Sequence, residues 1–125
     1  MKIPQRGNSE GVLEHLLAGR QAHVPVLWLY EVVSVLAKAQ RTGSITADKA
    51  NGFREDFRSL DITVNDETSG RIFGDVHQLA VAHGLSGYDA AYLELAIRKG
   101  LPLASLDEEL QNAARVAGVG LLQPA

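Results

Sequence analysis

The chain has 125 residues, 46% of them hydrophobic, and a formal net charge of −3. That is the length of one domain, spanning 1–125, with enough apolar residues to bury a core without a disulfide or zinc staple. With no cysteine present, disulfides, thiolate metal sites and cysteine nucleophiles are excluded, which suits a reducing, cytoplasmic setting. No apolar run approaches the roughly 20 residues that span a bilayer, and the opening MKIPQRGNSEG lacks the apolar stretch of a secretory signal. The charge is not that of a general nucleic-acid binder. A nuclease stays open, because cations can hold a phosphate where the protein is acidic.

In chain order, residues 1–8 contain Pro4 and Gly7 without periodicity and read as an irregular segment. Ser9 to Ala18 sets Val12, Leu13, Leu16 and Leu17 at helical spacing, with Gly19 as terminator. Ala22 to Val26 is a short strand. Leu27 to Gln40 is a long apolar helix that ends around Thr42 and Gly43, and Thr46 caps a helix running through Leu60 with Phe53, Phe57 and Leu60 on one face. Asp61 to Val64 is a second strand.

A helix begins at Asp66 or Thr68 and runs to His83, closed by Gly84; another runs from Ser86 to Lys99, closed by Gly100. Leu101 to Leu106 is an apolar strand, Asp107 to Ala117 a helix, and Val119 to Leu122 a last strand. Short buried strands alternating with helices imply right-handed crossovers and a parallel sheet. The expected fold class is α/β, a three-layer α/β/α sandwich. Val24, Val26, Leu27, Leu103 and Leu106 are its expected core. Such a sheet commonly opens with a strand, yet this chain opens with a loop and a helix.

Three acids draw attention through this layout. The helix from Tyr88 to Lys99 spans about 18 Å, and the strand from Leu101 to Leu106 returns about 20 Å. Gly100 alone joins them, so Asp89, in the helix's first turn, and Asp107, after the strand, fall at the same carboxyl edge of the sheet, where open α/β folds bind ligands. Glu31, early in the helix that follows the first strand, falls at that edge too. It lies on a stripe with Leu27, Trp28, Ser34 and Val35, and a buried carboxylate needs a partner. A divalent cation shared by the three acids is one such partner.

Plainer roles stand beside this one. Ser86 to Asp89 has capping-box spacing, and Asp107 is placed to cap the helix it precedes. A buried ion pair or hydrogen bond would also account for Glu31. The four histidines lack ligand spacing among themselves; His77 and His83 are read as surface residues. No Gly-rich phosphate loop or G-x-S-x-G element is present. Lys38, seven residues beyond Glu31, is either a phosphate-neutralising cation or an ordinary surface lysine.

The segments VPVLWLYEVVSVLAKAQRTGSIT and GLSGYDAAYLELAIRKGLPLASLDEELQNAARVAGV resemble PIN-domain proteins, most of all the VapC-type toxins of toxin–antitoxin pairs, from about Glu10 to Leu122. The resemblance implies a Mg²⁺- or Mn²⁺-dependent endoribonuclease with four acidic residues, an RNA substrate, an antitoxin partner and a homodimer. Glu31 matches the family's helical glutamate, Asp89 the aspartate of its Y-D-A motif, and Asp107 the aspartate ending its late strand. Ser105 matches a position where such domains often carry Ser or Thr. Ser34 stands where the family often has Asn. The family's first aspartate ends an N-terminal apolar-apolar-D-x-S strand, and nothing in MKIPQRGNSEGVLEHLL fits it. The expectation is therefore a PIN-like domain with its N-terminal strand missing and its catalysis impaired. A catalytically inactive scaffold that keeps only partner binding is the alternative. A phosphoacceptor receiver domain is poorly supported, because the late strand ends in Asp107 where that chemistry needs a lysine.

Overall fold

The computed structural model describes residues 21–122; the expected irregular segment 1–8 and the expected helix Ser9 to Ala18 lie outside the described residues. Strand β1 (Ala22–Pro25) leads directly into helix α1 (Val26–Arg41). Helix α2 (Ala47–Phe57) follows, then strand β2 (Ile62–Asn65). The next helical run has three parts: α3 (Ser69–Arg71), a π-helical segment (Ile72–Val76) and α4 (His77–His83). Helix α5 (Gly87–Lys99) and helix α6 (Glu108–Val116) complete the described chain.

The boundaries have local causes. Thr46 accepts a hydrogen bond from Lys49 N–H, Thr68 from Arg71 N–H, Ser86 from Asp89 N–H and Asp107 from Leu110 N–H, at 3.0–3.2 Å. Each satisfies a donor that the first helical turn leaves orphaned. At the other ends, Gly84 and Gly100 adopt left-handed φ of 64°, which a residue with a Cβ resists. Helix α2 stops at Phe57, three residues before the expected Leu60, because Arg58, Ser59 and Leu60 turn back to the carbonyls of Glu55, Asp56 and Phe57.

Strands β1 and β2 pair in parallel, Ala22 opposite Ile62 through Pro25 opposite Asn65. The fold is α/β, and among the described residues its sheet is smaller than the sequence suggests. The expected strands Leu101 to Leu106 and Val119 to Leu122 reduce to one parallel bridge, Leu103 with Leu121. Pro102 has no N–H to offer a ladder, and the Gln111 side chain draws the Ser105 carbonyl toward α6. Leu106, expected in the core, is 52% exposed, since the chain has already turned toward the α6 cap.

Val24, Leu93 and Leu110 are fully buried and join Trp28, Leu103, Ala113 and Ala114 in one core cluster. Trp28 stacks on Phe57, ring centroids 5.9 Å apart, and Phe53 adds a tilted contact to Phe57 at 6.4 Å, the face foreseen for α2. Among the described residues no helix is long and apolar enough to cross a membrane.

A charged cluster also sits in this interior. Glu94, on α5, is 3% exposed. Its carboxylate accepts from Arg98 Nε at 2.8 Å and from Arg71 Nη1 at 3.1 Å, so α5 is tied to α3 by charge. Glu67 lies beside this cluster with a buried Oε1 that meets no hydrogen-bond donor. Burial, and then repulsion from Glu94, push the Glu67 carboxyl above the ordinary carboxylate range.

Two measurements check this account. Trp28→Ala should cost about 3–5 kcal/mol in urea denaturation, as truncation of a buried aromatic does. Trp28→Phe should cost clearly less, because it keeps a ring against Phe57 and removes an indole N–H that is buried without an acceptor. For Glu67, an acid whose folded pKa is raised binds its proton more tightly in the folded state than in the unfolded chain. Stability therefore falls as pH climbs from the ordinary carboxylate value through the raised one, and the penalty persists above it. Glu67→Gln should flatten that part of the stability–pH curve, gaining stability above the window and little below it.

Candidate active site

Helix α1 starts without a side-chain cap, its first residue following β1 immediately. That places Glu31 in the second turn, just beyond the carboxyl end of β1. It is 3% exposed, on the helical stripe with Trp28 that faces the core. The hydroxyl of Tyr92, from α5, donates to its carboxylate, so the acid is held across two helices.

Asp89 stands in the first turn of α5 and is 5% exposed. Its N–H donates to Ser86 Oγ at 3.1 Å, one half of the expected capping box. The positive end of the helix dipole favours a carboxylate there. Tyr92 is three residues further on, and residues so spaced share a helix face about 5–6 Å apart. The Tyr92 hydroxyl thus ties Glu31 to the face of α5 that carries Asp89.

Asp107 caps α6, its Oδ1 accepting from Leu110 N–H at 3.0 Å. Its own N–H donates to Ser105 Oγ at 3.0 Å, and Ser105 is buried. Ser105 therefore fixes the turn that delivers Asp107 to the helix, and the capping role weighed for Asp107 is present. One oxygen of the carboxylate is engaged by the cap. Ser34 donates to the carbonyl of Tyr30 at 2.9 Å, a bond back to its own helix. Lys38 is exposed in the last turn of α1.

Among the described residues, no group of three or more His, Asp or Glu side chains stands together as a metal-holding set. Glu31, Asp89 and Asp107 are all described, so they do not form a preassembled cage by themselves. In donor chemistry they suit a hard divalent cation, because carboxylate oxygens are what Mg²⁺ and Mn²⁺ accept. A cavity of about 950 Å³ opens nearby, its wall including Pro25, Glu67, Phe73, Val76 and Tyr88. None of the three acids lines it.

Two participants escaped the sequence reading. Tyr92 was signalled only by its three-residue spacing from Asp89. Glu94 was signalled by the i, i+4 spacing to Arg98, whereas its contact with Arg71 bridges 23 positions and has no local signature.

Comparison with known proteins assigns the lineage. A family model for the PIN domain matches residues 4–116. The chain is also similar to Ribonuclease VapC3 of Pyrobaculum aerophilum, with 32% identity over 108 residues that cover 86% of this chain and 82% of that protein. This chain belongs to the PIN domain family, of the VapC type.

Proposed function

We propose that the chain is a metal-dependent endoribonuclease of the VapC kind, with Glu31, Asp89 and Asp107 as the residues that hold Mg²⁺ or Mn²⁺. The observation that carries the reading is the burial of two carboxylates, Glu31 and Asp89, at 3% and 5% exposure, with Tyr92 of the Asp89 helix donating to Glu31. Burying acids is costly, and a bound cation is one way to offset that cost. The name of the relative, a ribonuclease, supports RNA as substrate.

When bound, the cation supplies Lewis acidity and lowers the pKa of a coordinated water. The protein supplies placement. Glu31 and Asp89 present oxygens from fixed helices, Tyr92 acts as a positioning residue for Glu31, and Ser105 with the α6 cap orients Asp107. Ser34 and Lys38 are accessory: one bends toward its own backbone, the other is an exposed cation within reach of α1's carboxyl end. A second copy of the chain and a small antitoxin protein are the partners this reading implies, in a cytoplasmic setting.

A second reading, a scaffold that binds partners but does not cleave, is favoured by one observation: the described acids form no ready three-ligand group. The two separate cleanly. Under the nuclease reading, millimolar Mg²⁺ or Mn²⁺ raises the melting temperature by binding the folded state, and structured RNA is cleaved only with metal. Glu31→Gln, Asp89→Asn and Asp107→Asn each abolish the thermal gain and lower cleavage by more than the 10–100-fold typical of losing an outer-shell partner, roughly speaking. No metal-dependent shift together with no cleavage assigns the chain to the scaffold reading. Sedimentation at micromolar concentration checks the expected dimer, and a single monomeric species would refute it.

A further inference from the structure

The cavity of about 950 Å³ lies at the carboxyl ends of both strands. Pro25 ends β1, Asp66 follows the last residue of β2, and Val26 and Tyr88 stand in the first turns of α1 and α5; all four line it. Leu27, also in the wall, is four residues from Glu31, a spacing that sets two side chains about 5–6 Å apart on one helix face. Tyr88 is next to Asp89 in sequence. The cavity is thus within one helical turn of both buried acids, although neither lines it.

Much of the wall is aliphatic, with Leu27, Ile72, Val76 and Ala80 in it, and two aromatic rings complete it: Phe73 and Tyr88. Both are open to solvent, Phe73 at 80% and Tyr88 at 63% exposure. Phe73 stands in the π-helical segment, a winding that recurs at functional sites. One carboxyl shares the wall with them. Glu67 is half-buried there, and its Oε1 meets no hydrogen-bond donor. Buried acceptors are ordinarily bonded, so a carboxyl so placed favours a ligand that brings N–H groups. The surrounding charge disfavours a cation as that ligand. Arg71 and Arg98 already act on Glu67, as they do on Glu94, so two guanidiniums balance the two carboxylates.

A group that is neutral, flat and edged with N–H donors suits aromatic rings and an acceptor together. A nucleobase has that chemistry: its face stacks on aromatic side chains and its edge forms hydrogen bonds. We propose that the cavity takes one unpaired base of the RNA, flanked by Phe73 and Tyr88 with its N–H edge toward Glu67, while the neighbouring phosphate lies at Glu31 and Asp89. This rests on the ribonuclease reading for the substrate and narrows it to a single-stranded or looped segment, because a base inside a duplex is stacked and paired and must be extruded at a cost.

The test follows the ring resonances of Phe73 and Tyr88 by NMR in the full chain, a readout that needs no cleavage. The probes are the four ribonucleoside 5′-monophosphates, ribose 5-phosphate and N-acetylarginine amide, each at millimolar concentration. At least one nucleotide should shift both rings, and ribose 5-phosphate should shift neither. Tyr88→Ala should weaken that nucleotide by roughly tenfold, as loss of a stacking ring does, and Tyr88→Phe should restore it. Glu67→Gln should change the order of preference among the four nucleotides. Three results overturn the proposal: nucleotides that act no differently from ribose 5-phosphate, shifts with the arginine amide alone, which assign the cavity to a basic peptide side chain, or shifts that follow protein concentration alone, which assign it to a second copy of the chain. Cleavage is scored separately. Ring shifts without any metal-dependent cleavage support the base site and refute the nuclease reading; cleavage without ring shifts does the reverse.

Discussion

Helix α5 is buried along eight consecutive residues, Asp89 to Ala96. A helix ordinarily keeps one face in water, and one enclosed on all sides has to satisfy every polar group it carries from within the protein. That condition organises the molecule. Strand β1, the π-helical segment, α4 and α6 all pack against α5, and its apolar members Ala90, Leu93 and Ala96 belong to the core. Of the polar members, Tyr92 and Glu94 reach different parts of the fold. They decide how the remaining elements are joined.

Tyr92 answers Glu31 on α1, and Glu94 answers Arg71 on α3 and Arg98 one turn along its own helix. The two arrangements differ in kind. Around Glu94 two guanidiniums meet one carboxylate, so the charge is balanced within the protein and the role is structural cohesion. Around Glu31 the described donor is the Tyr92 phenol, a neutral group that orients the carboxylate and ties α1 to α5.

Much of this was readable from sequence, for reasons that differ by element. The caps at Thr46, Thr68, Ser86 and Asp107 were legible because capping is local, a side chain meeting an N–H three residues on. Gly84 and Gly100 marked helix ends for an equally local reason, their freedom at positive φ. The burial of Glu31 followed from its apolar helical neighbours. What failed was long-range. An apolar run such as Leu101 to Leu106 looks like a strand, but a ladder also needs neighbours, and only Leu103 has one among the described residues. Leu106 looked like core by residue type alone. The Arg71–Glu94 contact joins residues 23 positions apart, a proximity that no spacing rule encodes. Glu31, Asp89 and Asp107 were each named from local spacing, and their mutual placement depends on side chains that spacing does not encode.

The π-helical turn between α3 and α4 has a consequence for how this region tolerates change. Such a turn amounts to one residue inserted into an α-helix, and each α-helical residue rotates the chain by about 100°. Ile72–Val76 therefore sets the rotational phase between the turn bearing Arg71 and the turns bearing Leu79 and Ala80, which pack on the core. Deleting one residue there would restore regular winding and swing one of these out of place: either the guanidinium leaves Glu94 or the apolar face of α4 turns to water. In a loop, a change of length is absorbed by slack. Here length is angle, and the coupling of α3 to α5 depends on a residue count that the helix cannot adjust.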